Sequence, residues 1–209
     1  TDEIEIEDNL HARIQRQRFA ILSVIGMLDN STRSTLLTFL PFLFLSKGLD
    51  KGQIGIYLTL VAVGGLFGKL GCGILADYMG NVKMIIVTEL LTASLILLFI
   101  VCDPSLGLVL AAILGFFLNG TSSVIYSQAA GVIPVSLRTR GYGLFFTCTL
   151  GSAATVPFLF GTMGDFFEAH YNEWAGLLAM FIGMAAMTAM TIPLAVVFHA
   201  KGRRIKPLS

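Results

Sequence analysis

Two opposite charges lie four residues apart inside a long apolar segment, and they are the side chains with the clearest capacity for chemistry. Asp29 and Arg33 flank the polar run 30–32 within an apolar span at about 19–45. At a rise of about 1.5 Å per residue, they lie about 15 Å and about 21 Å into that span, near the midplane of a membrane. Side chains four positions apart share a helix face and can pair. Because a charge at the membrane centre costs about 2.5–3.5 kcal/mol, the pattern predicts a substrate or proton site in a water-filled cavity. The alternative is a structural ion pair that holds two helices together.

A second polar stripe lies near the midplane of a later apolar span, at about 106–134. It occupies positions 119–123 and 126–128. Two polar helices that face each other at one depth would form a binding site at their interface. The side chains expected to bind a substrate or proton are Asp29, Asn30, Arg33, Asn119, Tyr126 and Gln128. Hydrogen bonds between helices through small polar residues would explain the same stripe without a ligand.

Lys69 and Glu89 are the remaining charges inside apolar spans. On antiparallel neighbouring helices both would lie about 10 Å from the same membrane surface. Charged side chains within membrane helices generally pair with one another, so we expect a structural ion pair between Lys69 and Glu89. The alternative is that Glu89 carries a proton.

A polar turn at 73–83 joins the second and third spans and places the carboxylate of Asp77 where a helix leaves the membrane. The fifth span begins on the same side with Arg138 and Arg140, and a helix N-terminus offers free amides and partial positive charge. Asp77 is expected to bind that helix start, which would clasp two helices and act as a gate; a static staple of the loop is the alternative. The gating residues predicted on this basis are Gly73, Asp77, Gly80, Lys83, Arg138 and Arg140.

Long apolar helices are the elements that position these side chains. Of the 209 residues, 55% are hydrophobic and 13% are charged, whereas soluble domains carry about 25% charged residues. The composition therefore predicts an all-α integral membrane protein. A helix of about 20 apolar residues crosses a membrane, and six spans are expected, at about 19–45, 52–76, 84–102, 106–134, 141–163 and 175–199. Glycines in the second span, at 64, 65, 68 and 71, would allow close helix contacts.

The distribution of Lys and Arg predicts the orientation, because basic residues concentrate on the cytoplasmic side. With the N-terminus inside, the inner side holds Arg13, Arg16, Arg18, Lys83, Arg138, Arg140, Lys201, Arg203, Arg204 and Lys206, and the outer side holds Lys47 and Lys51. Both termini are therefore expected in the cytoplasm, with the protein in a bacterial inner membrane or another plasma membrane. Residues 1–18 are predicted to be a cytoplasmic polar linker or tail, 19–199 a six-helix bundle and 200–209 a basic cytoplasmic tail. The polar start at Thr1 indicates a fragment, a processed chain or half of a longer protein.

Several classes of protein are disfavoured by the same sequence. The three cysteines lack paired spacing and the three histidines lack metal-ligand spacing, so no disulfide framework, metal or cofactor is expected. The net charge of +1 and the absence of a basic stripe argue against nucleic-acid binding. The sequence has no nucleophile elbow and no phosphate-binding loop, so an enzyme is not expected.

An internal repeat relates the two parts of the sequence. A shift of 88 residues aligns Gly73 with Gly161 and Asp77 with Asp165, and a shift of 90 aligns 28–32 with 118–122. Each copy contains three spans, and an odd number of crossings inverts the second copy relative to the first. The pattern predicts a 3+3 inverted repeat, a construction used by secondary transporters.

Three segments resemble conserved features of the major facilitator superfamily. The run Gly-Ile-Leu-Ala-Asp-Tyr-Met-Gly-Asn-Val-Lys at 73–83 resembles the signature loop between the second and third helices of a six-helix half. The run Ile-Pro-x3-Arg-x-Arg-Gly-x-Gly at 133–143 resembles the loop before the fifth helix, and Pro-x3-Gly-x3-Asp at 157–165 resembles the end of that helix. The resemblance covers 19–199 and implies a twelve-helix transporter of two halves that works by alternating access. It also implies that the acid at position 77 locks the cytoplasmic side closed against the fifth helix.

The departures from the family pattern indicate which half this chain resembles. The signature loop has basic residues after its acid and after its second glycine, where this chain has Tyr78, Asn81 and Val82 and retains only Lys83. Such loss is typical of second halves, and the polar start resembles the loop between halves, so the chain is interpreted as the C-terminal half. The run at 33–41 and the glycine-rich second span resemble drug-efflux members near the fosmidomycin-resistance group.

These features together predict half of a secondary active transporter that moves a small molecule by alternating access, with proton-coupled efflux as its specific form. The expected partners are a second six-helix half, either covalent or separate, a small-molecule substrate and the lipid bilayer. The competing hypothesis is a non-transporting membrane scaffold or assembly subunit of a larger membrane complex.

Overall fold

The computed structural model describes the backbone of residues 2–203 and the side chains of residues 12–203, and every regular element in those ranges is helical. The helices are α1 (Asp2–Ser46), α2 (Lys51–Met79), α3 (Asn81–Val101), α4 (Pro104–Val132), α5 (Arg138–His170), α6 (Glu173–Ala189) and α7 (Thr191–Arg203), with a 3-10 turn at Val135–Leu137. Five segments are long and apolar enough to cross a membrane: Lys51–Met79, Asn81–Val101, Pro104–Val132, Val135–His170 and Glu173–Arg203. The all-helical architecture predicted from composition is confirmed.

The first helix extends beyond the predicted first span. α1 is continuous from Asp2 to Ser46, so the predicted linker at 1–18 is helical from residue 2 and runs directly into the apolar segment. α1 is not among the five segments apolar enough to cross a membrane, because its polar run around Asp29 and Arg33 lowers its mean hydropathy. At the other end, α7 continues the predicted basic tail as helix to Arg203, and residues 204–209 of that tail lie outside the described range.

The predicted polar turn at 73–83 is a single residue in the structure. α2 continues to Met79, Gly80 has a φ of 90°, and α3 begins at Asn81. Glycine adopts a positive φ without steric cost, and a one-residue connection between two helices requires that conformation here. Asp77 therefore belongs to the last turn of α2, and the tight connection expected within 73–83 is shorter than predicted, at Gly80.

Helices α2 and α4 are in direct backbone contact. A Cβ atom built on Gly64 would lie 2.0 Å from the carbonyl oxygen of Ala112, and one on Gly68 would lie 2.0 Å from that of Phe116. No side chain fits at that distance, so these positions require glycine. The predicted role of the glycines in the second span is confirmed.

Helix α1 lies at the middle of the bundle. It contacts α4, α5, α6 and α7, while α3 packs on α4 and α6, and α2 packs mainly on α4. The core consists of two apolar clusters, one that includes Leu22 and Ile25 and another that includes Leu36 and Leu40. The polar residues 29–35 of α1 lie between the two clusters, so the centre of the bundle is its most polar layer.

The last membrane segment is interrupted near its middle, where α6 ends at Ala189 and α7 begins at Thr191. Pro193 lacks an N–H group and cannot donate to the carbonyl oxygen four residues earlier, which weakens the helix at this point. The Thr191 hydroxyl donates to the Thr188 carbonyl oxygen at 2.6 Å, and the Thr188 hydroxyl donates to the Thr32 hydroxyl at 3.1 Å. These bonds tie the interruption to the polar layer of α1.

Candidate functional site

An ion pair between Asp29 and Arg33 lies in the polar layer of α1. Arg33 Nη2 is 2.7 Å from Asp29 Oδ2, and the two side chains are 16% and 6% exposed. Between the described side chains, no other cationic and anionic groups come within salt-bridge distance. Tyr126 of α4 lies near the guanidinium group. The pairing expected from the four-residue spacing is present, and ligand binding there stays a prediction.

Glu89 of α3 is a charged neighbour of this pair. Its side chain is 2% exposed and faces the hydroxyl of Thr191, and its charged neighbours are Asp29 and Arg33. The sequence predicts Lys69 as the partner of Glu89, but its apolar pattern also indicates that Glu89 is buried. Glu89 lies four residues after Ile85, a buried position on the same face of α3.

The predicted ion pair between Lys69 and Glu89 does not form. Lys69 is exposed on the face of α2 that lies beside Asn119 of α4, whereas Glu89 is buried against α1 and α7. Depth along two neighbouring helices does not determine which faces meet, and the prediction is corrected here.

Glu89 is a charged neighbour of the Asp29–Arg33 pair but forms no ion pair with Arg33, which pairs with Asp29 among the described side chains. Arg33 Nε has no hydrogen-bond acceptor and Glu89 Oε1 has no hydrogen-bond donor among the described residues. When all three groups are ionised, the cluster of Asp29, Arg33 and Glu89 carries one excess negative charge. Chemically, the cluster can bind one proton, or Arg33 can exchange one carboxylate partner for the other.

The other predicted binding residues are spread along the two helices. Asn30 Nδ2 donates to the carbonyl oxygen of Thr149 at 3.0 Å and ties α1 to α5. Asn119 is half-buried and lies seven residues, or about 10 Å, before Tyr126 along α4. Gln128 lies two residues after Tyr126, which places it on a different side of the helix. The structure thus brings Tyr126 to the ion pair, but neither Asn119 nor Gln128.

The predicted gate does not close within this chain. Asp77, Arg138 and Arg140 are exposed, and none of them makes an ion pair with another described residue. α2 packs on α4 whereas α5 packs on α1, so the end of α2 and the start of α5 lie on different sides of the bundle. The contact of Asp77 with the start of α5 is therefore not formed. Lys83 is exposed in the first turn of α3, and Gly73 is half-buried within α2.

No side-chain arrangement among the described residues is suited to a metal ion. No three His, Cys, Asp or Glu side chains in that part of the chain are grouped closely enough to hold one. The cysteines at 72, 102 and 148 are unpaired.

A comparison with protein-family models gives a match that covers most of the chain. The model described as Major Facilitator Superfamily matches residues 21–207, a range that includes all three members of the buried charge cluster. No curated protein and no solved structure matches the chain.

Proposed function

The chain belongs to the major facilitator superfamily of membrane transporters, and from this premise we propose that it is half of a secondary active transporter. It moves a small molecule across the membrane by alternating access, together with a second six-helix half that is covalently attached or separate. The observation that carries the proposal is the Asp29–Arg33 pair, held at 2.7 Å in the polar layer of α1, with Tyr126 of α4 nearby.

The energetic cost of these charges supports a functional role. Each charge at the centre of a membrane costs about 2.5–3.5 kcal/mol, and polar groups at that depth generally face a bundle interior or a water-filled cavity. Arg33 is 16% exposed, and Asn30, Asn119 and Tyr126 are half-buried. We place the substrate beside α1 and α4, in contact with these four side chains, with Gln128 as a further polar group.

The helix contacts support an inverted three-plus-three repeat. If α1, α2 and α3 correspond to α4, α5 and the α6–α7 segment, the α2–α4 contact corresponds to the α5–α1 contact. The α3–α4 contact likewise corresponds to the α6–α1 contact, and all four contacts are present. Together with the aligned residues Gly73 and Gly161, this correspondence favours a six-helix half of the kind found in secondary transporters.

We assign proton coupling to the charge cluster. Because two buried carboxyl groups accompany one guanidinium group, one proton neutralises the cluster of Asp29, Arg33 and Glu89. When Arg33 pairs with Asp29, the proton resides on Glu89, and a turn of Arg33 toward Glu89 would transfer it to Asp29. Substrate contact with Arg33 would bias this choice, and we propose proton-coupled efflux as the specific form of transport.

The exposed cytoplasmic groups supply the proposed gate. Asp77 ends α2 without a partner in the described part of this chain. We propose that Asp77 pairs with the second half when the cytoplasmic side is closed, and that Gly80 sets the direction in which Asp77 is presented. Lys83, Arg138 and Arg140 are exposed cations expected at the same membrane surface as Asp77, and they would meet the second half in the same state.

Flux through vesicles reconstituted with the full gene product tests the function. A mixture of small molecules is supplied outside, and the molecules that accumulate are identified by mass spectrometry. We expect accumulation with the wild type, and a loss of at least tenfold with Asp29→Asn and with Arg33→Ala. Arg13→Ala, an exposed arginine on the same helix, is the control and should transport normally. If wild-type vesicles accumulate nothing beyond empty vesicles, the non-transporting scaffold replaces this proposal.

A further inference from the structure

We propose that Lys69 and the amide of Asn119 bind an anionic group of the transported molecule, so that the substrate is a small carboxylate with an apolar body. This inference rests on the proposed transport function, and it assigns a substrate class to the same face of the bundle. It starts from the observation that Lys69 does not pair with Glu89, the partner predicted from the sequence.

Lys69 lies deep within its helix. α2 has 29 residues, and Lys69 is about 6 Å from its midpoint and about 15 Å from its end at Met79. Lysines near helix ends can extend to the membrane surface, but this depth places the ammonium group within a hydrocarbon layer about 30 Å thick. An exposed ammonium group at that depth requires either water or an anion beside it.

Lys69 lies on a side of α2 that faces a cavity. A cavity of about 320 Å³ contains Lys69 and Asn119 on its wall, together with Leu37 of α1. Its wall therefore combines α1, α2 and α4, the helices that carry the proposed substrate residues. Lys69 thus faces the substrate side and not the lipid.

Lys69 is the unmatched cation of this face. Arg33 is neutralised by Asp29, and no carboxylate among the described residues lies within salt-bridge distance of Lys69. The nearest acid along its own helix, Asp77, is about 12 Å away. A ligand that carries one negative charge would neutralise the site.

Asn119 adds a directed donor beside the ammonium group. A Cβ atom on Gly65 would lie 2.5 Å from Asn119 Nδ2, so the glycine leaves the space that the amide occupies. Asn119 Nδ2 donates to the Gly115 carbonyl oxygen at 3.3 Å, and an amide group has a second N–H to offer. An ionised carboxylate only accepts hydrogen bonds, so it matches a lysine and an amide N–H together.

The rest of the cavity wall is apolar, so the part of the ligand that contacts it should be apolar as well. The other lining side chains are Leu37, Leu58, Val61, Ala62 and Leu66. A carboxylate on an aromatic or aliphatic group would bury its apolar part against them. Benzoate has this chemistry, and benzamide and benzylammonium have nearly the same shape with neutral and positive charge.

Thermal unfolding of the purified full-length protein with these three probes tests the inference. We expect benzoate to raise the Tm of the wild type and the other two probes to leave it unchanged. Lys69→Gln should weaken benzoate binding by about tenfold or more, because a charge-assisted bond is lost, and Lys69→Arg should retain it. Lys69→Glu should reverse the preference, so that benzylammonium raises the Tm instead. Lys51→Gln, an exposed lysine on the same helix, should behave as the wild type.

A benzoate effect that is equal in the wild type and Lys69→Gln, or no benzoate effect in the wild type, would overturn the inference. The second result is expected if an acid of the second half pairs with Lys69. The vesicle measurement separates this inference from the transport proposal. Binding that depends on Lys69 without any transport leaves the anion site standing, whereas transport of neutral molecules unaffected by Lys69→Gln rejects the anion site alone.

Discussion

Replacement of Arg33 should destabilise the bundle much more than replacement of either acid beside it. Arg33→Gln leaves Asp29 and Glu89, which are 5% and 2% exposed, without a cation. Removal of one partner from a buried ion pair costs about 3–5 kcal/mol. We expect a loss of stability in that range for Arg33→Gln.

The two acids should respond differently because Asp29 is paired with Arg33 and Glu89 is not. Asp29→Asn removes the 2.7 Å contact, but the unpaired Nε of Arg33 can then turn to the unpaired Oε1 of Glu89. The expected cost is about 1.5–3 kcal/mol, the value of one hydrogen bond to a charged group. Glu89→Gln removes no formed ion pair and should change stability by less than about 1 kcal/mol.

A double-mutant cycle tests whether Glu89 can replace Asp29 as the partner of Arg33. Asp29→Asn with Glu89→Gln leaves Arg33 without any carboxylate, so the pair of changes should cost about 1–3 kcal/mol more than their sum. Unfolding by a denaturing detergent in mixed micelles measures these differences, with Arg13→Gln as the control on the same helix. The reasoning is refuted if Asp29→Asn costs as much as Arg33→Gln, or if the two acid substitutions are additive.

The remaining predictions concern packing and a helix cap. Gly68→Ala should cost about 2–3 kcal/mol in the same assay, because its Cβ atom would lie 2.0 Å from the carbonyl oxygen of Phe116. Gly143→Ala, at a position with no atom within 4 Å, should change stability by less than about 0.5 kcal/mol; equal costs would contradict the close contact of α2 and α4. Asp50→Ala should cost about 1 kcal/mol, because Asp50 and Gln53 form a capping box at the start of α2. Asp50→Asn should restore most of that loss, and a full loss in both variants would reject the cap.

The sequence predicts the elements of this fold well because they depend on local composition. Five of the six apolar spans correspond to membrane-length helices, and the glycines at 64 and 68 mark a real contact with α4. The pairing of Asp29 with Arg33 was predictable for the same reason, since a four-residue spacing fixes the shared face of a single helix.

The contacts between helices could be predicted less well from the sequence. The sequence predicts a similar depth for Lys69 and Glu89, but the face that each helix turns to its neighbours depends on the whole bundle. Lys69 is exposed in the structure, whereas Glu89 is buried. The proposed contact of Asp77 with Arg138 failed similarly, because it assumed that α2 and α5 lie together. The turn-forming residues at 73–83 predict an earlier end to the second helix. In the structure α2 continues through them to Met79, because the apolar residues around them favour helix.

The interruption at Thr191 shows a different limit. A proline at 193 predicts a weakened helix, but nothing in the local sequence indicates that the break lies opposite Glu89 and Thr32. That arrangement comes from the packing of α7 on α1 and α3. This packing also brings Glu89 near the Asp29–Arg33 pair, which adds a second carboxyl group to the site.

The central claim is alternating access, and the most direct test needs no substrate. Asn119→Cys is introduced into the full-length protein with the three native cysteines replaced by alanine. Impermeant maleimides are then applied separately to each side of the reconstituted membrane. The account predicts that position 119 reacts from both sides, because the cavity opens to each in turn. Reaction from neither side, or from one side under all conditions, would contradict it.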